Sequence, residues 1–496
     1  LGTIGGKGET VYLSSGDTVT LGGWTANSMT VSAWGDIHGW GAITASLFSG
    51  LVKWSVGDGA GGYVTHTGNI FLTNPNNRIG VFHLPDAGTI GIVNSAAVTL
   101  SAMNVANLSV RSQRSILQVG ALTVRNLAVF EAYSVDHAGA SDETFHYDIS
   151  LGELANRFGS LSLIGRSVNI RDVLDGVVLQ DVRAGVVSLT VEDNGYVRGA
   201  GAVTASTLWV GGWSGANGTV LLTHQANRIG TVSLGAAGQT AALHNAQDLS
   251  LAEASLGTLS VSVSGTFSPA SSDNTITHLW ATAAALTLSN AADLTLHDIR
   301  ISGALTLRVA ADILQLVGAG VSVVGGGVDI SAGGSVSLSN LSASDGLGTV
   351  RAAGSIYLSR LGVARLSIRS GEGATIDRVG PAAQALGDLT LLGVSVAGDL
   401  SVRVDGSLLM PGAVTVGGLV SAALTVAGRR GDLTMSHAAN RINTVAVRGD
   451  HAVIHDADGD LTLGDALLSG GLTVSASGVI TGAVGTISVG SSALIS

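Results

Sequence analysis

The 496-residue chain contains no cysteine, 5 prolines, 4% aromatic residues and 12% charged residues. The absence of cysteine excludes a disulfide framework, a thiolate metal site and a cysteine nucleophile. Charged residues are about half as common as the roughly 25% typical of globular domains. Apolar residues make up 46% of the chain and the mean hydropathy is +0.44, so the low charge does not indicate disorder. We therefore expect a folded chain that is stabilised by packing.

Long apolar runs and clustered basic residues are also lacking. Gly, Ser, Asn or Asp interrupts every apolar run well before the roughly 20 residues that a membrane helix needs. The formal net charge of -11 disfavours a polyanion such as DNA. Apart from Lys7 and Lys53, every basic residue is Arg, and these are scattered singly without a visible basic stripe. The sequence thus predicts neither membrane insertion nor nucleic-acid binding.

The chain contains a degenerate long repeat. From its second to its third copy an Asn-Arg-Ile/Phe tripeptide advances by 71 positions, and from the third to the fourth by three times 71. The segments Gly41–Ser46 and Gly201–Ser206 are alike, and each precedes a copy. The copies are Asn77-Arg78-Ile79, Asn156-Arg157-Phe158, Asn227-Arg228-Ile229 and Asn440-Arg441-Ile442.

A shorter period lies inside the long repeat. Apolar-Thr-apolar triplets begin at Leu286, Leu294 and Leu305, so the first and the third triplets are 19 positions apart. Each triplet alternates with the period of a strand that has one buried face, and turn-forming residues, including many of the 71 glycines, lie between the triplets. A meandering antiparallel sheet would show two-residue hairpin turns between strands with a polar face. The longer turns and aliphatic strands favour an all-β parallel β-helix. We take it to be right-handed because that is the usual hand of this fold. We expect residues 1–496 to form one continuous β-solenoid, a single elongated rod of about 25 turns.

The repeated tripeptide has a structural and a functional interpretation. Structurally, Asn would occupy a left-handed or ladder-forming turn position, Arg would lie along the surface, and Ile or Phe would enter the core. Functionally, the Arg side chains could form a repeated ligand contact. The four copies favour the structural interpretation.

Two Arg-Gly-Asp tripeptides are candidate receptor contacts, because such a tripeptide on an exposed loop can engage integrin receptors. In a glycine-rich chain, coincidence is the favoured explanation of both. They are Arg430-Gly431-Asp432 and Arg448-Gly449-Asp450.

Carboxylates are few and show no metal-binding spacing. The run Asp450, Asp456, Asp458, Asp460 and Asp465 resembles a calcium loop in charge, but it matches neither an EF-hand nor a calcium β-roll. Solvated turns are the favoured interpretation, and we predict no metal, no cofactor and no catalytic residue. A polysaccharide lyase or hydrolase would need converging carboxylates. The candidates are Asp172, Asp175 and Asp181, or Asp136, Asp142 and Glu143.

Tryptophan is concentrated near the start of the sequence. Residues 1–70 contain Trp24, Trp34, Trp40 and Trp54. These side chains could form an amphipathic cap over an open strand edge, or they could belong to the first turns and stack on sugars.

The repeat elements resemble those of filamentous-haemagglutinin-like exoproteins of bacterial two-partner secretion. The likeness includes the Gly-Ala-Ile-Thr-Ala element, the Asn-containing element before a Val-Ser-Leu strand, and the segment Leu472–Thr481. It extends over nearly the full chain. The resemblance implies a long right-handed β-helix, exported to the bacterial surface, that acts in adhesion, aggregation or biofilm formation.

Three functions follow as hypotheses. The first is a non-enzymatic extracellular rod that makes weak, multivalent contacts with a cell-surface glycan or receptor. The second is a structural subunit that associates with itself, end to end or side by side, into a filament or sheath. The third is a β-helical polysaccharide lyase or hydrolase.

Overall fold

The described residues of the computed structural model form β-strands and no helices. No helix in the described ranges has the length and apolar character needed to cross a bilayer. The structure describes residues 3–58, 63–133, 147–153, 155–173, 176–192, 195–212, 218–344, 347–379, 386–424, 430–457, 459–483 and 485–496.

The chain divides into two compact units, Leu1–Leu256 and Gly257–Ser496. The strands of the first unit are β1 (Ile4–Ser15), β2 (Val19–Ala33), β3 (Ile37–Gly39), β4 (Ile43–Leu51), β5 (Lys53–Gly57), β6 (Tyr63–Thr67), β7 (Ile70–Leu72), β8 (Arg78–His83), β9 (Asp86–Asn94), β10 (Val98–Leu100), β11 (Met103–Ser112), β12 (Ile116–Gln118), β13 (Leu122–Ala132), β14 (Ile149–Leu151), β15 (Arg157–Asp172), β16 (Gly176–Val191), β17 (Tyr196–Gly199), β18 (Val203–Gly211), β19 (Thr219–Leu222) and β20 (Arg228–Asn245), with β21 (Leu249–Val263) at the division.

The strands of the second unit are β22 (Thr266–Pro269), β23 (Thr275–Ala283), β24 (Ala285–Asn290), β25 (Leu294–Ile301), β26 (Leu305–Val309), β27 (Ile313–Gln315), β28 (Val321–Val323), β29 (Val328–Ala332), β30 (Val336–Leu338), β31 (Leu341–Ala343), β32 (Leu347–Ala352), β33 (Ile356–Ser359), β34 (Arg365–Ser370), β35 (Ala374–Arg378), β36 (Leu389–Val396), β37 (Leu400–Val404), β38 (Leu408–Leu409), β39 (Val414–Leu424), β40 (Leu433–Met435), β41 (Arg441–Gly449), β42 (Ala452–Asp456), β43 (Leu461–Leu468), β44 (Leu472–Ala476), β45 (Ile480–Gly482), β46 (Ile487–Val489) and β47 (Ala493–Ile495).

Successive turns of the chain stack in parallel. Leu286 of β24 pairs with Leu305 of β26, and Leu305 pairs with Val328 of β29. Side chains alternate between inside and outside along each strand, so apolar residues of successive turns lie above one another. The predicted all-β parallel solenoid is confirmed.

The number of turns is lower than the sequence period suggests. The described residues form about 22 turns of the solenoid, whereas a constant short period predicts about 25. An ordinary turn brings Val98 beside Ile116, or Ile70 beside Ile90. Two turns are much longer, because they bring Ile37 beside Ile70 and Ile116 beside Ile149. These excursions use residues that add no turn, which explains the difference.

One excursion contains an antiparallel hairpin. Strands β5 and β6 pair with each other, from Lys53 opposite Thr67 to Gly57 opposite Tyr63. The ammonium group of Lys53 lies 3.0 Å from Oδ2 of Asp86 in β9, which ties the base of the hairpin to the solenoid.

The interior is built almost entirely from Val, Leu, Ile and Ala. The few large aromatic core residues include pairs from neighbouring turns. The ring centroids of Phe48 and Phe82 are 6.5 Å apart, and those of Phe130 and Phe158 are 6.1 Å apart with edge-to-face geometry. Because the interior is filled by aliphatic columns, few aromatic residues are needed.

Close backbone approach explains the glycine that opens the repeated Gly-Ala-Ile/Val-Thr element. A Cβ atom on Gly201 would lie 1.3 Å from the carbonyl oxygen of Gln180 in the preceding turn. A Cβ atom on Gly41 would lie 2.2 Å from the amide nitrogen of Gly23. These positions exclude every side chain unless the turns move apart.

Replacing Gly201 with Ala should therefore destabilise the first unit. We expect Gly201→Ala to lower the free energy of unfolding by about 1–3 kcal/mol, the usual cost of overpacking. The measurement is thermal unfolding followed by circular dichroism. Gly235→Ala is the matched control, because a Cβ atom there has open space. Equal melting temperatures for the two variants would contradict this account.

Candidate functional site

The four Asn residues of the tripeptide are fully buried and hydrogen-bond to backbone groups of neighbouring turns. Oδ1 of Asn227 accepts a hydrogen bond of 2.8 Å from the backbone N–H of Val203. Its Nδ2 donates to the carbonyl oxygens of Leu222 (2.9 Å) and His244 (3.2 Å). We call each such side chain an Asn clamp. The equivalent bonds run from the backbone N–H of Ile43 to Asn77, of Leu122 to Asn156 and of Val414 to Asn440.

The other two residues of the tripeptide face in opposite directions. The Ile or Phe is at most 2% exposed in every copy, whereas the Arg is exposed. None of the four Asn has a positive φ, because Arg360 is the only non-glycine residue in the described ranges that does. Of the two positions expected for Asn, left-handed or ladder-forming, the left-handed one is therefore wrong: the side chain bridges turns from an ordinary backbone conformation.

Each Asn clamp lies where a long turn rejoins the stack. Each of these turns is longer than the ordinary step from Val98 to Ile116 or from Ile70 to Ile90. A clamp fixes the register of the returning strand, because one side chain satisfies buried backbone groups on both sides of the excursion. The turns before the four copies run from Thr44 to Arg78, from Thr123 to Arg157, from Thr204 to Arg228 and from Thr415 to Arg441.

A second buried polar residue follows the clamp in the next turn. Oδ1 of Asn245 accepts from the N–H of Ile229, and its Nδ2 donates to the carbonyl of Ile229 at 2.9 Å. Asn94 makes the equivalent bonds to Ile79. In the last copy the residue is Asp456, whose Oδ1 accepts from the N–H of Ile442 while the buried Oδ2 has no hydrogen-bond partner among the described residues.

A fifth, incomplete site of this kind escaped the sequence comparison because Thr replaces Arg. Nδ2 of Asn274 donates to the carbonyl oxygens of Ser271 (2.9 Å) and Ser289 (3.3 Å), but its buried Oδ1 accepts no hydrogen bond from the described residues. In Asn274-Thr275-Ile276, Asn274 is fully buried, and the N–H of Ile276 donates to Oδ1 of Asn290 at 2.7 Å. The carbonyl of Asn274 accepts from the N–H of Ala291, as that of Asn227 accepts from Ala246. A search for Asn-x-Ile, with a second Asn or Asp one turn later, could have found it.

The outward face of the second unit aligns arginines that are far apart in sequence. We call this set of cross-strand partners the arginine column. In the sequence these Arg residues are scattered singly, and turns of differing length bring Arg351 and Arg369 onto directly paired positions of this face. The column runs through Arg308, Ser331, Arg351, Arg369, Ser395, Thr415 and Arg441.

A groove of 740 Å³ follows the arginine column. Its described lining residues include Arg351, Arg369, Ser395 and Thr415, together with small residues of the adjoining turns, and no acidic or aromatic residue. Asp329, just outside the groove, lies 2.9 Å from Nη1 of Arg351 and 3.8 Å from Nη2 of Arg308.

Arg369 is a cation of this groove that stands without a partner. Within the part of the chain that the structure describes, it makes no hydrogen bond or ion pair. The Arg351 and Arg369 strand positions are direct partners, about 4.8 Å apart. Two exposed Arg side chains therefore leave adjacent strand positions. Asp329 pairs with Arg351 and, at the longer distance, with Arg308, whereas Arg369 has no carboxylate partner among the described residues.

The two Arg-Gly-Asp tripeptides lie on consecutive turns. The N–H of Asp450 donates to the carbonyl of Gly431 at 2.8 Å, and Arg430 donates to the carbonyl of Leu467. Asp432, Asp450 and His451 form the one group in the described ranges that could hold a metal ion. Nδ1 of His451 lies 3.3 Å from Asp432 and 3.5 Å from Asp450, so the three side chains already interact with one another. Receptor binding by these tripeptides, the less favoured interpretation of the sequence, stays an untested hypothesis.

The other acidic residues of the calcium-like run hold turns together. Oδ1 of Asp460 accepts from the N–H of Val479 at 2.7 Å, and Oδ1 of Asp465 accepts from Thr486 at 3.0 Å. Asp456 is buried in the interior, and Asp458 lies outside the described residues. The carboxylates that can be located thus bond to successive turns and do not converge on one point.

The candidate carboxylates of a polysaccharide-cleaving site are separated where they can be located. Asp172 is buried and accepts from the N–H of Phe158 at 3.2 Å. Asp181 lies at the surface, 3.5 Å from Nε of Arg183. The remaining candidates Asp136, Asp142, Glu143 and Asp175 lie outside the described residues.

The Trp and His rings are of two kinds, some exposed and some stacked on one another. Trp34 and Trp40 are 59% and 76% exposed, and Trp24 donates from its indole N–H to the carbonyl of Ile4 at 2.8 Å. In the second unit Trp280 stacks on His297 with ring centroids 3.5 Å apart. Burial and the neighbouring His278 lower the pKa of His297.

These features define a repetitive β-solenoid protein with internal Asn clamps and outward columns of stacked side chains. Residues 87–164, 283–353, 381–448 and 449–496 match a family described as "Repeats of unknown function (DUF5649)". The matched segments make up more than half of the chain, and the chain belongs to this family. No curated protein and no solved structure matches it.

Removing an Asn clamp should destabilise the first unit strongly. We expect Asn227→Leu to cost about 3 kcal/mol or more, because the N–H of Val203 and the carbonyls of Leu222 and His244 lose their partners. Chemical denaturation followed by circular dichroism gives this value. Arg228→Gln is the matched control, and it should change the stability by less than about 0.5 kcal/mol because Arg228 is exposed. A similar effect of both substitutions would sink the clamp interpretation.

Restoring the amide at position 456 should stabilise the second unit. Asp456→Asn would place an NH₂ group where Asn290 donates to the carbonyl of Ile276, and we expect a gain of about 1 kcal/mol in the free energy of unfolding. The reciprocal variant Asn290→Asp should lose stability in the same denaturation assay. If Asp456→Asn were destabilising, the two positions would not be equivalent.

Proposed function

We propose that the chain is a non-enzymatic, extracellular bacterial surface protein that acts in adhesion, aggregation or biofilm formation. The stacking of outward side chains into columns, in a solenoid of about 22 turns, supports this proposal. Weak contacts that recur along one column combine into an avidity greater than that of any single contact. The resemblance of the repeats to filamentous-haemagglutinin-like exoproteins supports the same location and role.

The difference in hydrogen bonding between interior and outward polar side chains also supports a binding role. Buried polar side chains are occupied with backbone groups, as the Asn clamps show. In the arginine column, Arg351 pairs with the surface carboxylate of Asp329, whereas Arg369 makes no hydrogen bond within the described residues. Outward residues of this kind are available for contacts with another molecule.

Two experiments test this proposal: locating the protein on the cell and deleting its gene. Antibodies against the purified chain should label the outer surface of the bacterium that makes it in immunogold micrographs. An in-frame deletion should reduce cell–cell aggregation or surface attachment, and re-expression should restore it. Label confined to the cell interior would overturn the proposal.

The same material separates the alternative functions. Ordered filaments or sheaths carrying the label would identify a structural subunit that associates with itself. Release of oligosaccharides from an acidic glycan by the purified chain would identify an enzyme instead.

A further inference from the structure

We infer that the groove along the arginine column binds a linear acidic polysaccharide that carries a carboxylate on successive sugars. This inference rests on the proposed function and names the class of ligand. Its strongest support is the pairing of Arg351 and Arg369 on adjacent turns, with the second of them lacking any partner among the described residues.

The local charge differs from that of the whole chain. The chain carries a formal net charge of -11, yet the described lining of this groove contains two arginines and no carboxylate. Like charges on directly paired strand positions repel each other. Asp329 lies 2.9 Å from Arg351 and offsets part of its charge, but Arg369 has no carboxylate partner among the described residues. An anion beside Arg369 would reduce the remaining repulsion, so the groove is electrostatically suited to a negatively charged ligand.

The chemistry of the lining favours carboxylates on a sugar chain. A guanidinium group binds a carboxylate through two parallel N–H···O bonds. Ser395 and Thr415 continue the same column beyond Arg369 and offer hydroxyl groups that can pair with sugar hydroxyls. The lining therefore offers both kinds of group that an acidic sugar would use.

The spacing of the column fits an extended polymer. Consecutive turns repeat about every 4.8 Å, so the column presents its donors at intervals of roughly the length of one sugar. A polyuronate carries one carboxylate on each sugar and can place neighbouring carboxylates against Arg351 and Arg369. Single-stranded nucleic acid fits less well, because its binding grooves stack bases on aromatic side chains and the described lining of this groove contains no aromatic residue.

The first unit has a comparable groove that differs in charge. Its column runs through Lys7, Thr25, Thr44 and Arg78, so two threonines separate the cations, and Glu9 lies in the lining. The directly adjacent pair of arginines therefore distinguishes the second-unit groove from this one.

The experiment is a calorimetric titration of the full chain with an oligomannuronate of eight sugars at low ionic strength. We expect saturable binding that weakens with added salt, and much weaker binding of the monosaccharide. The double variant Arg351→Gln/Arg369→Gln should lower the affinity by at least about tenfold. Arg369→Lys should lower the affinity less, because Lys keeps the positive charge but lacks the two parallel N–H donors of a guanidinium group. Both variants should melt as the wild type does, since the side chains are exposed.

Arg198→Gln is the matched control. It removes one positive charge, half of what the double variant removes, from an exposed position of the first unit, and it should change the affinity by less than about threefold. The inference is overturned if the octamer does not bind, if the double variant binds as tightly as the wild type, or if the control loses as much affinity per charge removed. Tighter binding of a single-stranded oligonucleotide would also overturn it. These results concern the purified chain, so they leave the cellular location and the aggregation phenotype as separate tests of the proposed function.

Discussion

The parallel backbone ladder between successive turns is the constraint on which the rest of the structure depends. Its hydrogen bonds hold each strand about 4.8 Å from the next and place each residue above its partner one turn earlier. An aliphatic position therefore becomes an aliphatic column, as Leu286, Leu305 and Val328 show. The same ladder acts on the outward face, where it converts isolated polar residues into lines of like chemistry.

The ladder is interrupted wherever the chain forms a long excursion from the stack of strands. A strand that returns after a long excursion must find its register again, and backbone groups at the junction are buried without a strand partner. At these junctions the buried Asn227 and its counterparts supply one acceptor and two donors from a single side chain. The clamp thus allows a long turn, such as that from Thr44 to Arg78, within a stack of much shorter ones. Loop length can vary while the core stays in register.

The interior was predictable from the sequence because its pattern is local. Three consecutive residues such as Leu305-Thr306-Leu307 indicate a strand with one buried face. Recurrence of the Asn-Arg-Ile/Phe tripeptide indicated that Asn had an architectural role, although the bonds of Asn227 to Val203 and His244 join residues that only the fold brings together. The number of turns was overestimated because an average period does not reveal which residues form the β5–β6 hairpin and other excursions.

The arginine column could not be predicted for a related reason. The step along the chain from Arg351 to Arg369 is shorter than that from Thr415 to Arg441, so no fixed period connects the members. Only the register, set by aliphatic packing and by clamps such as Asn440, determines which outward residues become neighbours. The packing of the interior therefore determines where outward side chains lie relative to one another, but it does not determine which residue types occupy those positions. A substitution on the outward face can change what a column binds while the aliphatic ladder beneath it stays intact, which allows a repetitive fold to carry different binding surfaces along its length.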